Sequence, residues 1–354
     1  MKKLAIAIVA ALPLCSAQAI ETYDVRNNSG QTVFKLNFYG PTDGSYFNEE
    51  GAPQHSSWGL DDAQKAQVIS AAQRWADIIK PLPGKLPGVI NVGTFDDENA
   101  GAMSPDVSEA AFSLTQLQAV LQGQDAGELN SGAHAVVQIG KMDFTPGQAS
   151  PALIPTDHRA DLEVIIFHEI AHALGISADA GVADGVTQFG PTFGSWSSHL
   201  FDDNGNPAQP GQAILCTKCE GPDDPSAFDV RKDRGYFAGS HVNEVLAGAM
   251  PGVPVRILDV LGDLDDDYMS HIELERSLMS HQNYRNYTIM MEAELALLQD
   301  MGYDIDRRNF FGRSIYGSGL EVVNQQGYFA RNAAGTAYLD GKANTAARGV
   351  GLHL

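Results

Sequence analysis

The chain has 354 residues, 44% of them hydrophobic, and 23 basic residues stand against 44 acidic ones for a formal charge of -21. That apolar fraction supports a packed core and excludes global disorder. The acidic balance excludes nucleic-acid binding, which needs a basic footprint, and disfavours an anionic lipid surface as partner; three cysteines exclude a dense disulfide framework.

In chain order, Lys2 and Lys3 precede the apolar run Leu4–Leu14, and Ala17-Gln18-Ala19 follows with the small residues of a cleavage site. Residues 1–19 therefore read as a secretory signal peptide, too short for a permanent transmembrane helix. A lipoprotein signal on Cys15 ranks lower, because the bulky Leu14 precedes it. No later stretch approaches a membrane-spanning helix. Alternation through Val25, Val33, Leu36 and Phe38 predicts an opening hairpin over 21–40, and a Gly/Pro/Asn-rich loop is expected over 41–58. Helical spacing of apolar residues predicts a helix over Asp61–Lys80, stopped by Pro81 and Pro83. A strand is expected at Val89–Val92, a short helix at Leu114–Leu121 with Ser113 as cap, and a buried strand at His134–Ile139. A strong helix follows at about Asp161–Leu174, then a long loop over 179–235, and a last helix over Tyr287–Met301. Cys216 and Cys219 form a CxxC within that loop; in an exported chain they predict a small structural disulfide. From Phe310 onward glycines punctuate short polar segments, which suggests short strands with turns, the first rungs of a β-solenoid, with a flexible tail as the plainer alternative.

The chemistry sits in Phe167-His168-Glu169-Ile170-Ala171-His172-Ala173-Leu174-Gly175. On a helix, His168 and His172 are one turn apart on one face, the spacing at which two imidazoles bind one Zn²⁺. Glu169 is the candidate general base, taking a proton from water whose pKa the ion lowers toward about 7. Gly175 is placed to end the helix in a left-handed conformation. A catalytic zinc takes three protein ligands. The compact pattern that puts a third ligand three residues after Gly175 is broken, since Ala178 stands there. The candidates are His199, His241, His271 and His281, and spacing does not choose among them. Glu292 or Glu294 would serve in a thermolysin-like alternative. Asp202-Asp203-Asn204-Gly205-Asn206 offers an oxygen-rich turn for Ca²⁺, but it lacks the closing Glu of an EF-hand, so a solvated turn is the plainer reading. Asp263, Asp265, Asp266 and Asp267 read as a solvated acidic loop that could bias a nearby pocket toward basic substrates.

Tyr268-Met269-Ser270-His271-Ile272, the following Ser277-Leu278-Met279-Ser280 and the helix ending Leu298-Gln299-Asp300-Met301-Gly302-Tyr303 resemble secreted metzincin-type peptidases with a distant third ligand, including leishmanolysin-like ones. The resemblance implies His271 as third zinc ligand, with His199 as runner-up, and Met279 as the Met-turn residue beneath the metal. Ser280–Tyr287, Asp306–Gly312 and Gly349–His353 are similar to the peptidase passenger of bacterial autotransporters, in which a Gly-rich solenoid and an outer-membrane barrel follow. This chain ends at Leu354 before such a barrel, so the expectation is a piece of a longer protein or a simply secreted one.

Together these readings give an α+β, metzincin-like fold: signal peptide 1–19, peptidase domain 20–308 and a Gly-rich β segment 309–354. The expected function is an exported zinc endopeptidase acting on proteins or peptides through Glu169; the alternative is a non-catalytic adhesion passenger on the same scaffold, which would not require that base.

Overall fold

The computed structural model describes residues 20–305 except 83, 86, 108–111, 130, 145–160, 233–234, 247–250, 258–268, 273–276, 280–289 and 291, together with the backbone of 322–324 and 327–329. The segment expected as signal peptide, most of the Gly-rich segment, His281 and the acidic stretch 263–267 lie outside the described residues.

Strands β1 (Glu21–Arg26) and β2 (Thr32–Phe38) form the expected antiparallel hairpin. The segment expected as loop carries a small hairpin, β3 (Tyr46–Phe47) with β4 (Pro53–Gln54). Helix α1 (Asp62–Ile78) starts at a capping box in which Asp61 and Gln64 satisfy each other's backbone N–H groups. It ends before Lys80, whose N–H donates to Asp304. Strands β5 (Gly88–Thr94), β6 (Ala100–Met103) and β7 (Ala135–Ile139) complete a five-stranded mixed sheet in the order β1-β2-β5-β7-β6. Strands β2, β5 and β7 run parallel, whereas β1 and β6 are antiparallel edges. Between β6 and β7 lies α2 (Gln116–Leu121), capped by Thr115 rather than Ser113.

The pleat of β7 shows why its sequence is apolar at every position but Gln138, whose buried amide donates to the Tyr46 hydroxyl. Ala135, Val137 and Ile139 join the main core, while Val136 turns to the other face, against Tyr39, Tyr46 and Phe47. A strand covered on both faces needs no polar alternation. On the main-core face α1 packs against α3 (Leu162–Ala173). Trp75 packs its ring at 4.8 Å from Phe167, tilted by 49°, and donates its indole N–H to the Phe167 carbonyl at 2.9 Å. Arg74 and Glu163 close the same helix pair with an ion pair.

Beyond α3 the expected long loop is broken into short strands: β8 (Ala180–Ala183), β9 (Val186–Phe189), β10 (Leu200–Phe201), β11 (Ile214–Leu215), β12 (Phe228–Asp229) and β13 (Gly235–Phe237). Cys216 and Cys219 are disulfide-bonded here. Helix α4 (Ser240–Leu246) takes Asp300 as acceptor for the N–H groups of His241 and Val242. Strand β14 (Val253–Val255) then pairs with β13, and α5 (Glu292–Asp300) packs against α4. The expected final helix is thus described from Glu292. Within the Gly-rich segment, β15 (Val322–Asn324) and β16 (Gly327–Phe329) pair as a short antiparallel ladder, and the solenoid expectation rests on residues that are not described. No helix among the described residues is long and apolar enough to cross a membrane.

Candidate metal centre

Helix α3 is apolar almost all round and almost fully buried, which fixes its rotation and therefore the direction of its histidines. Asp161 caps it by accepting the Val164 N–H at 3.3 Å. Burial pushes the Asp161 carboxyl above its usual range, and the hydrogen bond from Val164 pulls it the other way. At the other end Gly175 adopts φ +99°, where a side chain would be strained. The Ile176 N–H reaches back to the Ala171 carbonyl and the Gly175 N–H to His172, which is the Schellman closure. This turn has a second effect: it brings the Ile176 carbonyl within 2.7 Å of His172 Nδ1. The helix stop therefore also aims the ligand.

His168 Nδ1 lies 2.7 Å from the Leu278 carbonyl. A carbonyl oxygen only accepts, so Nδ1 is the protonated nitrogen in both rings and each Nε2 presents a lone pair. Those lone pairs converge. His172 Nε2 is 3.1 Å from His168 Nε2, and His271 Nε2 is 3.3 Å from the same atom. The three ligand atoms lie within 4.8 Å of one another. A tetrahedral site with arms of about 2.0–2.1 Å has edges of about 3.3 Å, and the two distances from His168 Nε2 match such edges. Facing lone pairs repel without a cation between them, so this donor set suits a bound metal ion. His168 and His271 are buried, and His172 is partly exposed. Among the described residues no other trio of His, Cys, Asp or Glu converges this way.

His271 reaches the site because the segment around it is held from several sides. Its carbonyl accepts the Arg256 N–H at 2.8 Å just beyond β14, and Ile272 bridges Val255. Ser270 Oγ accepts the Ala178 N–H at 3.0 Å, and the Met269 carbonyl accepts the Trp196 indole N–H at 2.9 Å. Met269 itself sits at φ 60°, a left-handed turn just before the ligand. The Met279 carbonyl accepts from Ile272 at 3.0 Å, and the fully buried Met279 lies in the turn that supplies the Leu278 carbonyl to His168. Glu294 of α5, wholly buried, accepts the Ser277 hydroxyl and the Met279 N–H and so ties that turn to the last helix. Tyr303, just beyond α5, donates its hydroxyl to the Leu174 carbonyl at 2.7 Å; burial raises its pKa well above the usual phenol value, which keeps that donor protonated.

The other candidates lie elsewhere. His199 places Nδ1 2.7 Å from the Ser195 carbonyl and stacks on Phe237, outside the trio. His241 lies in the first turn of α4, its backbone N–H donating to Asp300. Glu294 is engaged by Ser277 and Met279 instead of serving as a ligand in the trio. Asp202 accepts the N–H groups of Asn204 and Asn206 and the Asn206 amide, so its carboxylate organises the turn once considered for Ca²⁺. Sequence reasoning missed Glu294 as the anchor of the turn, although a glutamate at an otherwise apolar helix position was a legible signal. It also missed β6, whose residues Ala102 and Met103 line an open cleft of about 400 Å³ with His172 on its wall. Glu169 follows His168 on α3 and is buried.

No protein-family model, curated protein or solved structure matches this chain.

Proposed function

We propose that this chain is an exported zinc endopeptidase of metzincin-like design, with residues 20–308 as the peptidase unit and the Gly-rich segment as the start of a β-solenoid. The observation that carries the reading is the convergence of three imidazole Nε2 atoms around an HExxH helix. His168, His172 and His271 would hold the ion; three neutral nitrogen donors with one position left open suit Zn²⁺. Bound there, zinc supplies a Lewis acid that polarises a carbonyl and lowers the pKa of water toward about 7. Met279 serves as the soft floor of the site and Glu294 positions its turn. Glu169, next to a ligand on the same rigid helix, accepts the proton of the attacking water on its carboxylate and returns it to the leaving amine. The apolar run before Ala17-Gln18-Ala19 supports secretion or display at a bacterial surface.

The test is Glu169→Gln. The variant is expected to keep its zinc and lose casein cleavage by about 10²–10⁴-fold, the range of a removed general base. Cleavage at the parent rate would overturn the reading, and an inactive parent chain loaded with zinc would favour the adhesion alternative.

A further inference from the structure

The cleft beside His172 borders a second cavity, and the two differ in chemistry. One wall of the cleft is the edge strand β6 with the turn that follows it, through Met103 and Asp106; the other is the chain leaving α3, through Ser177 and Asp179. Glu49 and Glu50 stand at its rim, and no Lys or Arg is found among the described lining residues. Gly194 and Ser195 belong to the walls of both cavities. Beyond them lies a cavity of about 410 Å³ lined mainly by apolar groups, among them Val107, Phe112, Leu114 and Phe193. Phe112 is 62% exposed, although it bridges Phe193 by backbone and sets its ring against it at 6.1 Å. A large aromatic left in water at a cavity mouth is the kind of surface that a partner covers.

The charges carry the same message. The Asp179 carboxylate is seated over Gly190, where any Cβ would collide with it. Both Asp106 and Asp179 line the cleft; partial desolvation raises both, and the charge of Asp179 raises Asp106 further. A cation entering between them is attracted by both charges.

Resting on the peptidase reading, we infer that these two cavities form one substrate groove, which takes an extended peptide with a Lys or Arg side chain between Asp106 and Asp179 and a large apolar side chain against Phe112 and Phe193. The groove thus selects basic-apolar segments of protein substrates. The overall charge of -21 steers such segments toward the chain and repels acidic ones.

The experiment reads binding and turnover separately. Four fluorescein-labelled peptides carrying Lys or Glu in combination with Phe or Ser are titrated against the Glu169→Gln chain, and the same peptides are offered to the parent enzyme. The Lys/Phe peptide is expected to bind at least about tenfold more tightly than the Glu/Ser peptide, with the charge part of the preference shrinking as salt rises. Asp106→Asn with Asp179→Asn should abolish the Lys-over-Glu preference and leave Phe over Ser; Phe112→Ser should do the reverse. The single exposed change Asp106→Asn, with its melting curve, guards against a double variant that fails to fold. Equal binding of all four peptides, or preferences that persist in these variants, would overturn the inference. Selective binding without cleavage by the parent would overturn the peptidase reading alone, and cleavage without selectivity would overturn the groove alone.

Discussion

At the scale of single residues, two histidines of the trio are set by groups that have another job. The Ile176 carbonyl that holds His172 comes from the helix stop at Gly175. The Leu278 carbonyl that holds His168 comes from the Met279 turn. Outer partners of this sort fix the tautomer and orientation of a ligand. Glu294 therefore matters although it is outside the trio. Glu294→Ala leaves the Ser277 hydroxyl buried without its acceptor and the Met279 N–H with Ser277 Oγ alone, and should cost about 1–3 kcal/mol in a denaturant melt, while Glu294→Gln should restore most of it. Equal stability of the alanine variant and the parent would show that the turn is held by something else. At this scale the sequence was half legible. His168, Glu169 and His172 follow from spacing on a helix. His271 does not, because its approach depends on contacts from Arg256, Ala178 and Met279, which are far apart in the chain. Only a resemblance singled it out from the other Ser-His pairs.

At the scale of elements, the strongly patterned pieces are where periodicity puts them: α1 behind its capping box, the uniformly buried β7, and α3. Strand β6 was invisible because Ala-Gly-Ala-Met has neither alternation nor β-branching, and it is a strand only because β7 offers it an edge. The same logic applies to the short strands β8–β13, which are fixed by cross-chain pairing more than by local propensity. The junction of β5 and β7 carries its own pH signature. His134 donates its backbone N–H to the Val89 carbonyl and accepts the Val89 N–H on Nδ1 at 2.8 Å, so that nitrogen must be free of a proton. Burial lowers its pKa below the ordinary 6.5. The unfolded chain then takes up the proton first, so the stability from this site is full above about pH 6.5 and is lost as pH falls toward the lowered value. Melting midpoints measured across that window should fall on acidification, and His134→Asn should flatten the slope; an identical slope in the variant would contradict this account.

At the scale of the whole molecule, the five-stranded sheet is a platform covered on one side by α1 and α3 and on the other by the β3–β4 hairpin. The histidine trio joins helix α3 to a segment and turn more than a hundred residues away in the sequence. An ion bound there stabilises the folded state alone, by several kcal/mol when its concentration far exceeds its dissociation constant. Chelation should therefore lower the thermal midpoint by several degrees, and zinc should restore it. Calcium should not, since Asp202 already spends its oxygens on N–H donors; rescue by calcium alone would redirect attention to that turn. The α+β class was legible from the mixed pattern of elements, whereas the order of strands in the sheet was not, because the parallel pairs β2–β5 and β5–β7 join segments separated by helices and loops.

The central claim is that His168, His172 and His271 together hold one zinc ion. The most direct test is elemental analysis of the purified chain, as parent, His271→Ala and His199→Ala, after dialysis against trace zinc. The account expects one zinc per chain in the parent and in His199→Ala, with near-complete loss in His271→Ala. Full zinc retained by the His271→Ala chain, or none bound by the parent, would contradict it.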